Sequence, residues 1–178
     1  MRLFIAVNFC ERVKSQILEL QNRLRVQSLR GNFTRPDNLH LTLAFLGETP
    51  EEKTEEICRI ISDIRNAPFE ICFNKSGCFT RSHKELWWIG ADPNSTGFPL
   101  LVSINRQLIE RLLDAGISVD SRPFNAHITL AREVKHTTPI ILNCPKITVN
   151  VDRISLMKSE HIQGGMVYTE IFGNELKP

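Results

Sequence analysis

A ten-residue phrase occurs once in each half of this chain, and its repetition limits the possible folds more than any other feature. The copies are RPDNLHLTLA, which begins at residue 35, and RPFNAHITLA, which begins at residue 122. Seven residue types recur in register, with a constant offset of 87 residues between positions 35 and 122. A repeat at about half the chain length predicts two related lobes, each of which brings one His-x-Thr segment to a shared place.

The pattern of each copy predicts a β-strand, in which successive side chains point to opposite faces. Alternation places His40, Thr42 and Ala44 on one face of the first copy. The second copy repeats this arrangement, and we expect the small alanines of both copies to leave room for a ligand in a cleft. We expect the alternate side chains to be buried in the lobes: Leu41, Leu43, Phe45, Ile128 and Leu130.

Two imidazoles and two hydroxyls around one point suit chemistry on a phosphodiester. Hydrolysis needs a base and an acid on opposite sides of phosphorus, because attack and departure are roughly in line. Histidine suits both tasks, since its ordinary pKa of about 6.5 lies close to working pH. Hydroxyls of Thr42 and Thr129 can donate hydrogen bonds to the non-bridging oxygens. A single His-x-Thr is more typical of an ordinary strand, so this prediction depends on the duplication.

Charge and cysteine content narrow the class of protein. With 22 basic and 20 acidic side chains, the net charge of +2 is too small for a protein that coats long nucleic acid. One RNA terminus or a short stretch remains possible. The five cysteines form no Cys-x-x-Cys, which favours free thiols in a reducing cytoplasm. The chain shows neither a signal peptide nor an apolar run of about 18–20 residues, so we expect a soluble protein with no membrane partner.

The hydrophobic pattern predicts an α+β fold. Apolar residues at helical spacing indicate helices over residues 13–24, 57–64 and 101–112. Asn8 and Thr49 are the expected capping residues of the first two helices. Outside the two phrases, strands are expected over residues 2–7, 69–73, 86–89, 146–158 and 166–172. Residues 1–178 should form a single domain of two pseudo-symmetric lobes, each a mainly antiparallel sheet packed with helices, with the active-site cleft between them.

No metal or cofactor is expected. A zinc site needs three or four ligands, and the sequence has no H-x-H, H-E-x-x-H or Cys/His cluster. A phosphate-cradling GxxxxGK[ST] loop is also missing. The remaining histidines lie in polar surroundings and are predicted to be surface residues: His83, His136 and His161.

At the paired motifs the chain resembles the two-histidine (2H) phosphoesterases, which carry two HxTx motifs, here at residues 40–43 and 127–130. Within them it is similar to the bacterial RNA 2′,3′-cyclic phosphodiesterases, also called 2′-5′ RNA ligases. The similarity covers nearly the whole chain: residues 2–7, 38–43, 45–48, 86–90, 123–124 and 127–132, and Leu156, Ser159, Gly165 and Tyr168.

The resemblance implies a metal-independent hydrolysis of an RNA 2′,3′-cyclic phosphate to a 2′-phosphomonoester, so that the 3′ oxygen leaves. It implies that His40 is the proton donor to that oxygen and that His127 is the acceptor that activates water. It also implies that Thr42 and Thr129 hold the phosphate. Symmetry of the motifs alone leaves donor and acceptor open. The expected partners are RNA 3′ ends or small cyclic nucleotides, with no obligatory protein partner.

Further substrate contacts are less directly indicated. The resemblance suggests that Arg132 holds phosphate or nucleotide, although alternation places it opposite His127 unless the strand ends or bulges there. Arg35 and Arg122 also recur, but each precedes a proline and could merely flank its strand. Three aromatic residues could stack on a base or pack in the core: Trp88, Phe79 and Tyr168.

Two other functions use the same residues. A nucleotide- or RNA-binding module could keep the cleft without turnover. ATP-independent joining of RNA ends through a 2′-5′ bond would need the same acid and base, and the sequence does not distinguish it from hydrolysis.

Overall fold

The computed structural model describes residues 1–82 and 84–178, so the predicted surface position of His83 lies outside the described residues. Within them the chain forms nine strands and three helices. In chain order these are β1 Arg2–Asn8, α1 Glu11–Val26, β2 Arg30–Phe33, β3 His40–Glu48, α2 Thr54–Ser62, β4 Phe69–Arg81, β5 Lys84–Ala91, α3 Phe98–Asp114, β6 His127–Lys135, β7 Ile147–Val151, β8 Arg153–Ile162 and β9 Gly165–Glu175.

The strands form two antiparallel sheets, which confirms the predicted α+β class. One sheet has the order β3-β1-β8-β9 and the other the order β2-β6-β5-β4-β7. The two motif strands, β3 and β6, therefore lie in different sheets and contact each other. Each sheet takes strands from both halves of the sequence, because β8 and β9 join β1 and β3.

Apolar stripes attach the helices to the sheets. Helix α1 contacts strands of the five-stranded sheet, whereas α2 and α3 contact strands of the four-stranded sheet. Full burial of a Leu or Ile side chain contributes roughly 1.5–3 kcal/mol, so these stripes supply much of the stability. The predicted stripes of α1 and α3 are confirmed, since their members are at most 2% exposed: Val13, Ile17, Leu20, Leu24, Leu101, Ile104, Leu108 and Leu112.

The two predicted capping residues are wrong. Asn8 is the last residue of β1 and pairs with His40, so its side chain cannot cap α1. Before α2, residues 51–53 form a short 3₁₀ turn, and the helix begins only at Thr54. The hydroxyl of Thr49 donates instead to the carbonyl of Gly47, at 3.2 Å. Strand pairing competes here with local capping and prevails.

Two strand predictions also need correction. Residues 146–158 form two strands, β7 and β8, which belong to different sheets. The chain leaves one sheet at Asp152 and enters the other, a change that the continuous apolar pattern does not reveal. The short strand β2 is not among the expected strands, because its four residues Arg30–Phe33 show no apolar alternation.

Each motif strand contains two one-residue bulges, the first within the repeated phrase and the second beyond it, at Leu46 in β3 and at Glu133 in β6. In β3, Ala44 pairs with Ile5 whereas Thr42 pairs with Ala6, so that Leu43 is the extra residue. The shift breaks the simple alternation of the strand, because two consecutive residues then point into the core.

The second motif strand has the same irregularity. Ala131 pairs with Trp87 and Thr129 with Trp88, which leaves Leu130 as the extra residue of β6. Leu43 and Leu130 occupy equivalent positions of the repeat, so both copies bulge at the same place.

The bulges overturn part of the predicted cleft. Ala131 is fully buried and does not line the cleft, so the expectation that it leaves room for a ligand is wrong. Ala44 is only 3% exposed but contributes to the lining, and the residues that follow the two alanines, Phe45 and Arg132, line the cleft as well. Phe45 was expected in the core, and its new position follows from the one-residue shift in β3.

Candidate active site

The motif side chains meet in one cleft of about 1270 Å³. His40 and Thr42 line it from β3, and His127 and Thr129 line it from β6. All four are partly buried, while the intervening residues of both strands pack in the core. The structure therefore brings together the four residues that the duplicated phrase singled out.

Each histidine ring is oriented by a backbone carbonyl two residues earlier. Nδ1 of His40 lies 2.7 Å from the carbonyl oxygen of Asn38, and Nδ1 of His127 lies 2.7 Å from that of Asn125. A carbonyl only accepts, so each Nδ1 carries a hydrogen and donates it. Nε2 is then the atom of each ring that can exchange a proton with a ligand.

Thr42 contacts the exchanging nitrogen of its own motif. The hydroxyl oxygen of Thr42 lies 3.0 Å from Nε2 of His40. When the ring is neutral, the hydroxyl donates to Nε2, and when the ring is protonated, Nε2 donates to the hydroxyl oxygen. The pair can therefore change its hydrogen-bond direction with the protonation state of His40.

Burial keeps both imidazoles uncharged near neutral pH in the protein alone. It lowers the pKa of His40 from 6.5 to about 4, against the opposing effect of the Asn38 carbonyl, and the charges of Arg132 and His127 lower it further. Burial also lowers the pKa of His127, with smaller contributions from Arg132 and Arg122. An anion bound between the rings would raise the pKa of both histidines, because it favours the protonated form.

Arg132 is the cation that acts on both histidines. It lines the cleft, and its charge lowers the pKa of His40 and of His127 alike. The bulge at Leu130 explains how it reaches this face, since regular alternation from His127 would turn it into the core.

The two arginines of the repeated phrase lie in different surroundings. Arg122 lines the cleft and forms a bidentate pair with Asp120, in which Nε lies 2.9 Å from each carboxylate oxygen. Arg35 donates from Nη2 to the carbonyl of Gly164 in the turn between β8 and β9, and it is not among the lining residues. Equivalent positions in sequence thus serve different contacts.

Aromatic rings flank His40 on the four-stranded sheet. Tyr168 lines the cleft and meets the His40 ring edge-on, with centroids 5.3 Å apart. Phe4 packs on both, at 4.8 Å from His40 and 5.0 Å from Tyr168. The sequence did not single out Phe4, because an apolar residue in the first strand is indistinguishable from a core residue.

Two more rings flank His127 on the five-stranded sheet. Phe79 lines the cleft at 5.7 Å from His127, and Trp88 lies behind at 6.4 Å. The indole of Trp88 covers Gly77 and Gly90, where a Cβ would come within 2.3 Å and 2.8 Å of the ring. Trp88 therefore packs under the site, whereas Phe79 faces the cleft.

His136 and His161 lie outside the cleft. His161 is exposed, as expected, whereas His136 is half-buried and its Nε2 lies 3.1 Å from both carboxylate oxygens of Glu85. Over residues 1–82 and 84–178, the structure groups no three His, Cys, Asp or Glu side chains as a metal site requires. None of the helices in this part of the chain is long and apolar enough to cross a membrane.

Comparison with known proteins decides the family. The model of the LigT-like phosphoesterase family matches residues 7–88 and 93–168. The chain belongs to this family. The resemblance inferred from the paired motifs is thereby confirmed.

Several relatives of this LigT-like phosphoesterase bear the name RNA 2′,3′-cyclic phosphodiesterase. The protein of that name from Methanocaldococcus jannaschii is 32% identical over 133 residues, which are 74% of this chain and 71% of that protein. The Escherichia coli protein is 28% identical over 170 residues, 96% of this chain and 93% of its own length.

Solved structures agree with this LigT-like phosphoesterase over almost its whole length. Escherichia coli LigT complexed with 3′-AMP matches with a TM-score of 0.83 at 28% identity, covering 99% of this chain and 98% of that one. A protein from Thermus thermophilus matches with a TM-score of 0.79 at 32% identity and the same coverage. The two-sheet fold is thus that of solved members of the family.

Proposed function

We propose that this chain is a metal-independent RNA 2′,3′-cyclic phosphodiesterase that converts a terminal cyclic phosphate into a 2′-phosphomonoester. The observation that carries the proposal is the pair of Nε2 atoms presented to one cleft by His40 and His127, each ring anchored through Nδ1. The names of the relatives support the substrate class. We also propose that residues 1–178 act as one two-lobed domain in the cytoplasm, since all five cysteines are free thiols.

In the proposed reaction, one histidine removes a proton and the other supplies one. Nε2 of His127 takes a proton from water as its oxygen bonds to phosphorus. The bond from phosphorus to the 3′ oxygen breaks, and Nε2–H of His40 protonates that oxygen. Both protons are accounted for, and the product keeps phosphate on the 2′ oxygen. The donor and acceptor assignment follows the family pattern, because the two ring environments are nearly symmetric.

Neighbouring residues stabilise the phosphate while charge builds on it. The hydroxyls of Thr42 and Thr129 donate to non-bridging oxygens, and the Thr42 hydrogen becomes available once His40 is protonated and no longer accepts it. Arg132 neutralises charge from the face that the β6 bulge exposes. Arg122, Tyr168 and Phe79 line the path of the adjoining nucleotide, whereas Trp88 supports the site from behind and Arg35 holds the β8–β9 turn.

Bound phosphate raises the pKa of His40, so that its ring can be protonated in the complex. A pKa of about 4 leaves its ring neutral at pH 7 in the protein alone. A phosphate anion about 4 Å away, at an effective dielectric constant of about 20, favours the protonated ring by ~4 kcal/mol. That is about three factors of ten in the protonation equilibrium, enough to populate the acid in the complex.

Incubation with an oligonucleotide that ends in a 2′,3′-cyclic phosphate tests the proposal, with phosphorus NMR to distinguish the product. We expect a 2′-monoester and full activity in the presence of a chelator. His40→Ala and His127→Ala should each lose at least the ~10²–10⁴-fold that one acid or base typically contributes. His161→Ala, which removes an exposed imidazole outside the cleft, is the matched control. A 3′-monoester would contradict the assigned leaving group.

The same experiment separates hydrolysis from the alternatives. Calorimetric binding of the cyclic phosphate without a new monoester would instead favour a nucleotide-binding module. Ligation through a 2′-5′ bond differs only in the nucleophile, since a 5′-hydroxyl replaces water and gives its proton to His127. To measure ligation, an acceptor strand with a free 5′-hydroxyl is added and the joined products are resolved.

A further inference from the structure

Two helix amides bind the bulges of the motif strands. Asn105 of α3 donates from Nδ2 to the carbonyl of Leu43, at 2.7 Å. Gln21 of α1 donates from Nε2 to the carbonyl of Leu130, at 2.8 Å, and to that of Thr34, also at 2.8 Å. Leu43 and Leu130 are the extra residues of the first bulge in β3 and in β6, so each amide reaches the point where its strand first leaves the regular ladder.

The two contacts are equivalent in the repeat but cross between the lobes. Helix α1 follows β1 of the four-stranded sheet and reaches the bulge in the five-stranded sheet. Helix α3 follows β5 of the five-stranded sheet and reaches the bulge in the four-stranded sheet. Gln21 is only 3% exposed, although glutamine is seldom fully buried. A buried amide at this place indicates a specific partner, which the Leu130 carbonyl supplies.

Removal of either side-chain amide would favour a regular strand without the bulge. A bulge disrupts the ladder locally, so it depends on the hydrogen bonds that remain. Without the Gln21 amide, the Leu130 carbonyl would keep the backbone N–H of Thr34 as a donor, at 2.9 Å, but would lose its second hydrogen bond, which destabilises the bulged arrangement. Loss of the bulge would shift the later part of the strand by one residue. Every side chain beyond that point would then change face, which would turn Arg132 into the core and Ala131 into the cleft.

We propose that Gln21 and Asn105 are positioning residues that hold the two bulges, and that Gln21 thereby directs Arg132 at the phosphate. The inference rests on the proposed function, because it assigns Arg132 to the reacting phosphate. Neither amide contacts the reacting atoms in this proposal. Asn105 lines the cleft as well, and through the β3 bulge it sets the position of Phe45.

A double-mutant cycle tests whether Gln21 acts through Arg132. Gln21→Met keeps the size of the side chain but removes its donor, and we expect kcat/KM to fall by up to about 100-fold, as for small misplacements elsewhere in enzymes. In an Arg132→Ala background the same change should cost little more. A merely structural role of Gln21 would cost the same in both backgrounds. Gln107→Met is the matched control, because the Gln107 amide bonds only to Ser103 of its own helix.

A titration gives a second readout that does not depend on turnover. Arg132 lowers the pKa of His127, so its displacement in Gln21→Met should raise that pKa toward the value in Arg132→Ala, as measured by proton NMR of the folded variants. If Gln21→Met does not fold, Asn105→Leu takes its place, since leucine is similar in size to asparagine and removes the donor to Leu43 without adding a charge to the cleft, and kcat should fall while the fold persists.

The outcomes separate this inference from the proposed function. A wild-type protein that leaves the cyclic phosphate intact overturns the function. Normal wild-type turnover with an unaltered Gln21→Met variant, or with equal losses in both backgrounds, overturns only the positioning role of Gln21.

Discussion

Replacing Gly77 with alanine should displace the indole of Trp88 and slow the reaction of a folded protein. Gly77 and Trp88 are directly opposite each other on β4 and β5, and the indole lies over the glycine. A Cβ at residue 77 would come 2.3 Å from the ring, whereas ordinary contacts begin at 3.4 Å. The ring must therefore retreat by roughly 1 Å, the difference between these distances.

The displacement of the indole would also move His127, the proposed proton acceptor. Trp88 contacts Phe79 at 5.1 Å and His127 at 6.4 Å between ring centroids, so it supports both from behind. A misplacement of about 1 Å in a reacting group can cost about 100-fold in rate. Overpacking of this kind lowers the free energy of unfolding by about 1–3 kcal/mol. We expect a fall in kcat larger than the change in KM, because the contact that the displaced ring loses is to His127.

Turnover of a 2′,3′-cyclic phosphate and thermal unfolding together measure both effects. The compensating control is Gly77→Ala combined with Trp88→Phe, whose smaller ring leaves space for the new methyl group. We expect the double variant to be faster than Gly77→Ala alone. Wild-type kcat and unfolding temperature in Gly77→Ala would show that the indole does not hold His127.

Three further predictions concern protonation and the β8–β9 turn. The pH optimum of kcat/KM should lie on the acidic side of that of kcat, because burial lowers the pKa of His40 and His127 in the free protein and bound phosphate raises it. Coincident optima in steady-state pH profiles would contradict this. Since the pKa of His40 falls from 6.5 to about 4 on folding, the unfolded state binds the extra proton between these values. The free energy of unfolding should therefore fall by up to about 3 kcal/mol as pH drops through this window, and His40→Phe should reduce that slope in denaturant titrations. Arg35→Ala should leave KM for a cyclic nucleotide nearly unchanged while it increases amide exchange near Gly164, because Arg35 bonds to that turn and lies outside the cleft lining. A large rise in KM would assign Arg35 to the substrate instead.

Some features of the site could be predicted from local sequence and some could not. Alternation placed His40 and Thr42 on one face because the first three residues of the strand precede the bulge. Beyond the bulge the same rule failed for Phe45, which it placed in the core and which lines the cleft. A bulge has no reliable local signature, and here its free carbonyl is met by an amide from a distant helix.

Backbone partners and close packing were also invisible in the sequence. The recurrence of Asn38 and Asn125 was evident, but their part in the site comes from carbonyl oxygens, which every residue type has. The role of Gly77 likewise depends on Trp88, which folds over it from the neighbouring strand.

The strands themselves could be predicted from local sequence, but their order in the sheets could not. Apolar periodicity predicted the helices and most strands, because burial of one face requires a fixed spacing along the chain. It could not show that β8 and β9 return to β1 and β3, since pairing partners are chosen among strands that all satisfy the same pattern.

By itself, the sequence determined the α+β class, the duplicated motif and the four side chains that we propose to react with and hold the phosphate, because each depends on residue type and short-range spacing. Only the tertiary structure decided that both Nε2 atoms face one cleft, that Arg132 joins them and that Arg35 does not. Those outcomes depend on carbonyls, bulges and helix contacts between residues far apart in the chain, which local patterns do not encode.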